Sequence, residues 1–150
     1  PNTGNIGRLC VGFGAELHLI GPCAFDLSDK ALRRAGLDYW PHLRWTLHAT
    51  PADFLAWLGD REPWLVTKFP RPRCDQAPYR DGDVLLLGNE LTGLPPDWHE
   101  RWPDRGIAIP IFGAIRSYNL ANAAAMVLAQ AMRHCGGFDA WTGPPPSPGS

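Results

Sequence analysis

Residues 83–95, DVLLLGNELTGLP, run from an apolar strand straight into a glycine-rich loop. Three consecutive leucines between turn residues are the form of a strand covered on both faces, because a strand with one wet face would alternate with polar residues. Two other short runs share that form, 63–69 (PWLVTKF) and 106–112 (GIAIPIF). Further strands are expected in 15–22 (AELHLIGP), where Leu17 and Leu19 alternate with His18 and Ile20, and in 43–49 (LRWTLHA). Helical segments alternate with these strands. Residues 50–60 (TPADFLAWLGD) offer Thr50 as N-cap, Pro51 at the first helical position, Asp53 in the first turn and Phe54, Leu55 and Leu58 on one face. Residues 119–137 form an Ala-rich helix closed by Gly136 and Gly137. Two shorter helices are expected, one from residue 3 with Thr3 as N-cap and Ile6, Leu9, Cys10 and Phe13 at helical spacing, the other in 26–36 (DLSDKALRRAG). This alternation predicts an α/β fold around a mostly parallel sheet, with ligands at the C-terminal ends of its strands.

The 150 residues suffice for one domain, expected over 1–135; the Gly/Pro-rich segment 136–150 is expected to be a disordered tail. Net charge is −1, so no overall basic field marks a polyanionic partner, and only a local patch could bind one. Cys10, Cys23, Cys74 and Cys135 show no zinc-type or C-x-x-C spacing and read as reduced thiols; the five histidines are scattered, so no metal is expected. No signal peptide or long apolar run occurs, and the cytoplasm is the expected location.

Gly12-Phe13-Gly14 is no dinucleotide fingerprint, because position 17 is Leu and these glycines end a helix. Neither a P-loop nor a G-x-S-x-G elbow occurs. Residues 85–95 (LLLGNELTGLP) make a tight loop whose bare backbone can lie against a flat ligand, although such loops are also common punctuation. In 109–125 (IPIFGAIRSYNLANAAA), Arg116, Ser117, Asn119 and Asn122 gather at the start of an apolar helix. One cap needs one polar residue, so four invite a second explanation.

Read in order with 1–10 (PNTGNIGRLC), these two segments resemble the three motifs of the SPOUT superfamily of RNA methyltransferases, most closely its TrmL-type branch of tRNA (cytidine/uridine-34) 2'-O-methyltransferases. Residues 29–40 (DKALRRAGLDYW) match a further stretch typical of the branch, and Asn89 stands where many relatives carry Pro. The resemblance spans about residues 1–135. It implies a C-terminal trefoil knot, an obligate homodimer, a strand ahead of the first motif that is missing from this trimmed chain, S-adenosyl-L-methionine as cofactor and tRNA, leucine tRNAs in particular, as substrate.

Carried onto this chain, the resemblance implies a cofactor pocket of Val66, Thr67, Gly88, Glu90, Gly93, Ile109, Ile111, Ser117 and Leu120. Arg8, Asn2, Ser117 and Asn119 become the catalytic set. A guanidinium does not readily give up its proton, so Arg8 is expected to anchor a phosphate and steady the developing alkoxide. Asn2 and Asn5 are expected either to orient the ribose or pin a dimer contact, or simply to cap the helix. RNA contacts are expected from Arg8, Lys30, Arg33, Arg34, Lys68, Arg71, Arg73 and Arg80, with Tyr79 placed to stack on a base. Methylation of another RNA, a non-catalytic RNA-binding module and a small-molecule enzyme stay open as alternatives.

Overall fold

The computed structural model describes residues 2–22, 30, 38–68, 71–89 and 92–145. In chain order the elements are α1 (Asn2–Phe13), β1 (Leu17–Ile20), a 3-10 turn (Trp40–His42), β2 (Trp45–His48), α2 (Pro51–Leu58), β3 (Trp64–Val66), β4 (Leu85–Leu87), α3 (Pro96–Arg101), β5 (Gly106–Ile107) and α4 (Leu120–His134). Every ladder is parallel: β1 pairs with β2, while β3 lies between β4 and β5.

The α/β expectation therefore holds, and so does the reading of buried strands. Along β3, Leu65 enters a cluster with Phe54, Leu58, Leu86, Leu94, Trp98 and Trp102. Its neighbours Trp64 and Val66 face a second cluster, with Cys74, Ala77, Tyr79, Ile107 and Val127. Thus α2 and α3 cover one face of this sheet and α4 the other, which is why polar residues never alternate into it. Burying side chains such as Phe54 and Leu65, at 1% and 0% exposure, contributes about 1.5–3 kcal/mol each. A third cluster joins α1 to β1 and the 3-10 turn through Cys10, Leu17, Trp40 and Leu43.

Several details differ from expectation. Thr3 is a helical residue of α1 and no cap, since the helix already begins at Asn2. The buried stripe of α1 is Gly4, Gly7 and Cys10, because the aromatic Trp40 fills the space that side chains there would take: a β-carbon on Gly7 would stand 2.8 Å from Trp40 Cζ3. Strand β5 stops after two residues. Beyond it Ala108 bridges to Arg73, and Pro110 has no N–H to continue a ladder. Helix α3 was not foreseen, although Pro96 at its start, Asp97 in its first turn and Arg101 in its last carry the signals. Residues 135–140 form turns that bring Phe138 edge-on to Phe13, with ring centroids 5.6 Å apart. The expected helix in 26–36 and the end of the tail, 146–150, lie outside the described residues, Lys30 excepted. Among the described residues no helix is long and apolar enough to cross a membrane.

Candidate functional site

Register places the C-terminal ends of three strands side by side. Val66 of β3 aligns with Leu87 of β4 and Ile107 of β5, and the Thr67 N–H donates to the Ile107 carbonyl at 3.0 Å. Thr67, Gly88 and the Ala108–Ile109 segment thus form one edge. The loop after β4 folds back on its own base, so that a β-carbon on Gly88 would lie 2.2 Å from the Gly93 carbonyl carbon. Asn89 closes this loop: its Oδ1 accepts from the Thr92 N–H at 2.6 Å and from the Thr92 hydroxyl at 3.0 Å. Gly93, at φ +71°, completes the turn and donates its N–H to the Asn89 carbonyl. A proline at position 89 could accept through its carbonyl alone; asparagine adds the side-chain clasp.

Ile109 packs beneath α4 with Val127, and the Tyr118 hydroxyl donates to the Pro110 carbonyl at 2.8 Å, drawing the two ends of the exposed loop 111–117 together. Ile111 and Ser117 are the exposed ends of that loop, and Leu120 opens α4 half-buried. Tyr118 had escaped the sequence reading; a lone tyrosine among cap residues was its only signal. The cap itself is Asn119, whose Oδ1 accepts from the Ala121 and Asn122 N–H groups at 2.9 and 3.2 Å. Ser117 takes no part in the cap and is exposed.

Arg8 faces a different wall of the same helix. With Asn5, Leu9, Gly12 and Phe13 of α1 it lines an open groove of about 460 Å³, closed opposite by Ala121, Asn122 and Ala125 of α4. Positions 5, 8, 9 and 12 recur at helical spacing and share a face, whereas Asn2 is six residues from Arg8 and points elsewhere around the helix. The groove ends against the first turn of α4, whose backbone dipole carries partial positive charge. Among the described residues, no hydrogen bond or ion pair engages the Arg8 guanidinium, which lies over the Tyr39 ring, 5.9 Å from the centroid.

The basic residues do not make one patch. Arg71 folds back over Gly106 and donates to the Pro103 carbonyl at 3.2 Å. Arg73 grips Asp75 through two hydrogen bonds of 3.0 Å, which holds the carboxyl's pKa below its ordinary value and raises that of the guanidinium. Lys68 is exposed beyond the end of β3, while Arg80 lies at the other edge, where Asp83 leads into β4. Tyr79 is 4% exposed, edge-on to Trp64, so it cannot stack on a base. Lys30 is exposed; Glu90, Arg33 and Arg34 lie outside the described residues. Among the described residues no group of three or more potential ligands could hold a metal ion.

A family model described as the SpoU rRNA Methylase family matches residues 1–129. The chain belongs to this SpoU family. Within it, the tRNA (cytidine(34)-2'-O)-methyltransferase of Escherichia coli K12 is 40% identical over 137 residues, covering 91% of this chain and 87% of the relative. A solved structure described as giving insights into the 2-OH methylation of C/U34 on tRNA is 39% identical with a TM-score of 0.82, covering 91% of this chain and 89% of that one. A solved structure of an AdoMet-bound rRNA methyltransferase from Sinorhizobium meliloti shares 26% identity at a TM-score of 0.75, covering 89% of this chain and 51% of its own.

Proposed function

We propose that this chain transfers a methyl group from S-adenosylmethionine to the ribose 2'-hydroxyl of nucleotide 34 of tRNA, leucine tRNAs among them. The observation that carries the reading is the convergence of Thr67, Gly88 and Ile109 at one sheet edge, with the Ser117 loop drawn against it and Arg8 facing the first turn of α4. The relatives named for this reaction support it.

The residues at the sheet edge suit the cofactor. Half-buried Val66, Thr67 and Ile109 supply the apolar surface that an adenine requires, and Gly88 and Gly93 keep side chains off the loop. Glu90, Ile111, Ser117 and Leu120 complete the pocket on this reading. When bound, the cofactor supplies an electrophilic methyl group on a sulfonium. Arg8 holds a substrate phosphate beside the α4 N-terminus and stabilises negative charge forming on the ribose oxygen, while the proton leaves to phosphate or water. Asn119 fixes the helix start, Ser117 borders the methyl donor, and Asn2 braces the helix. Lys30, Arg33, Arg34, Lys68, Arg71, Arg73 and Arg80 supply further RNA contacts, the last four after release of their internal partners where they have them.

The same reading gives residues 1–135 one domain with a trefoil knot near its C-terminus, a homodimer and a cytoplasmic location.

The decisive experiment incubates the protein with tRNA and labelled S-adenosylmethionine and analyses the nucleosides. Label in 2'-O-methylated nucleotide 34 is expected. Arg8→Ala should lower turnover at least 100-fold with cofactor affinity within about twofold of wild type, as expected for loss of a charge acting only in the transition state. Full turnover by that variant would remove Arg8 from the mechanism.

A further inference from the structure

Residues 38–40, Asp-Tyr-Trp, belong to a stretch that the site leaves unused, yet two of them read the single turn of α1 that carries Arg8. The Tyr39 hydroxyl donates to the Gly4 carbonyl. In an α-helix that carbonyl is the acceptor of the N–H four residues on, which is the N–H of Arg8. The face of the same ring lies under the Arg8 guanidinium, 5.9 Å from centroid to Cζ. Trp40, next in the chain, presses on the same turn so closely that a β-carbon on Gly7 would come within 2.8 Å of its ring. Backbone and side chain of residue 8 are thereby both set from one point, the turn at 39–40.

We propose that Tyr39 is a positioning residue for Arg8, acting at two places: its hydroxyl fixes the helical turn and its ring fixes the direction in which the guanidinium leaves it. This rests on the role given to Arg8 above. The chemistry favours tyrosine over phenylalanine or histidine. A phenol provides both a π-face for a cation and a donor at the far end of the ring, about 6.5 Å from the α-carbon, without a charge that would pull the guanidinium out of the groove. Burial raises the Tyr39 pKa, Arg8 opposes that rise and Asp38 adds to it; the net shift is upward, so the phenol keeps its proton and remains a donor at neutral pH. An arginine on an exposed helix face otherwise samples many rotamers, and holding it in one costs entropy that a preformed contact removes before substrate arrives.

The test is a double-mutant cycle on methyl transfer to tRNA, with Tyr39→Phe, Tyr39→Leu, Arg8→Lys and the combinations. Tyr39→Phe keeps the ring and loses the hydroxyl; Tyr39→Leu loses both. Expected are about 5-fold and 30-fold losses in kcat, with cofactor affinity unchanged, and little further loss when either is added to Arg8→Lys, because coupled residues are non-additive. In the spectrum of Arg8 side-chain N–H groups, the ring-current shift should persist in Tyr39→Phe and vanish in Tyr39→Leu, a signature a purely structural tyrosine would not give. Equal losses in both backgrounds, or full activity of Tyr39→Leu, would overturn the proposal. If Arg8→Lys and Arg8→Ala both turn over like wild type, the reading of Arg8 itself fails, a distinguishable result.

Discussion

At Gly88 the chain has no room for a β-carbon, which would meet the Gly93 carbonyl carbon at 2.2 Å and the Leu94 nitrogen at 2.4 Å. Both neighbours are backbone, so neither can rotate away. Gly88→Ala must therefore open the 88–94 loop, and its expected outcome is at least a tenfold loss of S-adenosylmethionine affinity by calorimetry, with a lowered Tm. Unaltered affinity would place the cofactor elsewhere. Gly88 was singled out from the sequence for its bare backbone, and the structure gives a different physical need for it: the loop has to touch its own base. Cys10 illustrates the converse. Its thiol is buried in the α1 cluster and pushed up to about 11 by desolvation, so the native protein at pH 8 should leave it unalkylated by iodoacetamide while the unfolded chain reacts at once, as mass spectrometry of the modified peptide would read. Rapid labelling of folded protein would mean that α1 opens readily.

Elements with a period or a cap were legible, and those made by tertiary contact were not. Helix α2 forms where Thr50, Pro51 and Asp53 announce it, with the Thr50 hydroxyl accepting from the Asp53 N–H at 3.2 Å. Buried strands β3 and β4 follow from runs of apolar residues. The 3-10 turn at Trp40–His42 has no such period, because it is held by the packing of Trp40 on Gly7. Equally illegible was what β1, β2 and α2 do together. His18 and His48 meet across the ladder at 2.9 Å between ring nitrogens, the His18 ring stacks on Trp57, and His48 lies edge-on to Phe54. Burial first, and the neighbouring His18 second, depress the basicity of His48, while Asp53 partly offsets them; Glu16 faces His18 from outside, at 3.3 Å. The sign follows from linkage. The unfolded histidine takes up a proton near pH 6.5 while the folded one resists, so stability is complete above about pH 6.5 and is lost as pH falls through the lower folded value. Tm should drop between pH 7 and 5, and His48→Gln, which keeps a hydrogen-bonding group without titrating, should flatten that drop. An unchanged slope in the variant would assign the pH dependence to other groups.

Over the whole molecule, a net charge of −1 leaves little general attraction for RNA, and the internal partners of Arg71 and Arg73 weaken the patch read from sequence. Recognition of a polyanion by this chain must then come from assembling scattered cations, Arg8 above all, into one surface. The loop before α4 exposes Phe112 at 98%, Ile115 at 54% and Ile111 at 37%. Large apolar side chains so placed between site residues are expensive to leave in water and mark a surface meant to be covered. On the proposed homodimer a second copy would cover them, and a twofold arrangement would bring two Arg8 grooves to one assembly, doubling the local positive charge offered to one RNA. Sedimentation equilibrium at micromolar concentration should accordingly give a dimer. Phe112→Asp should shift it toward monomer and weaken tRNA binding at least tenfold, while the Tm of the monomer fraction stays near that of wild type because the Phe112 side chain is exposed. A Phe112→Asp protein that remains a dimer would move the interface away from this loop, and a monomer with full methyl transfer would show that one copy holds the complete site.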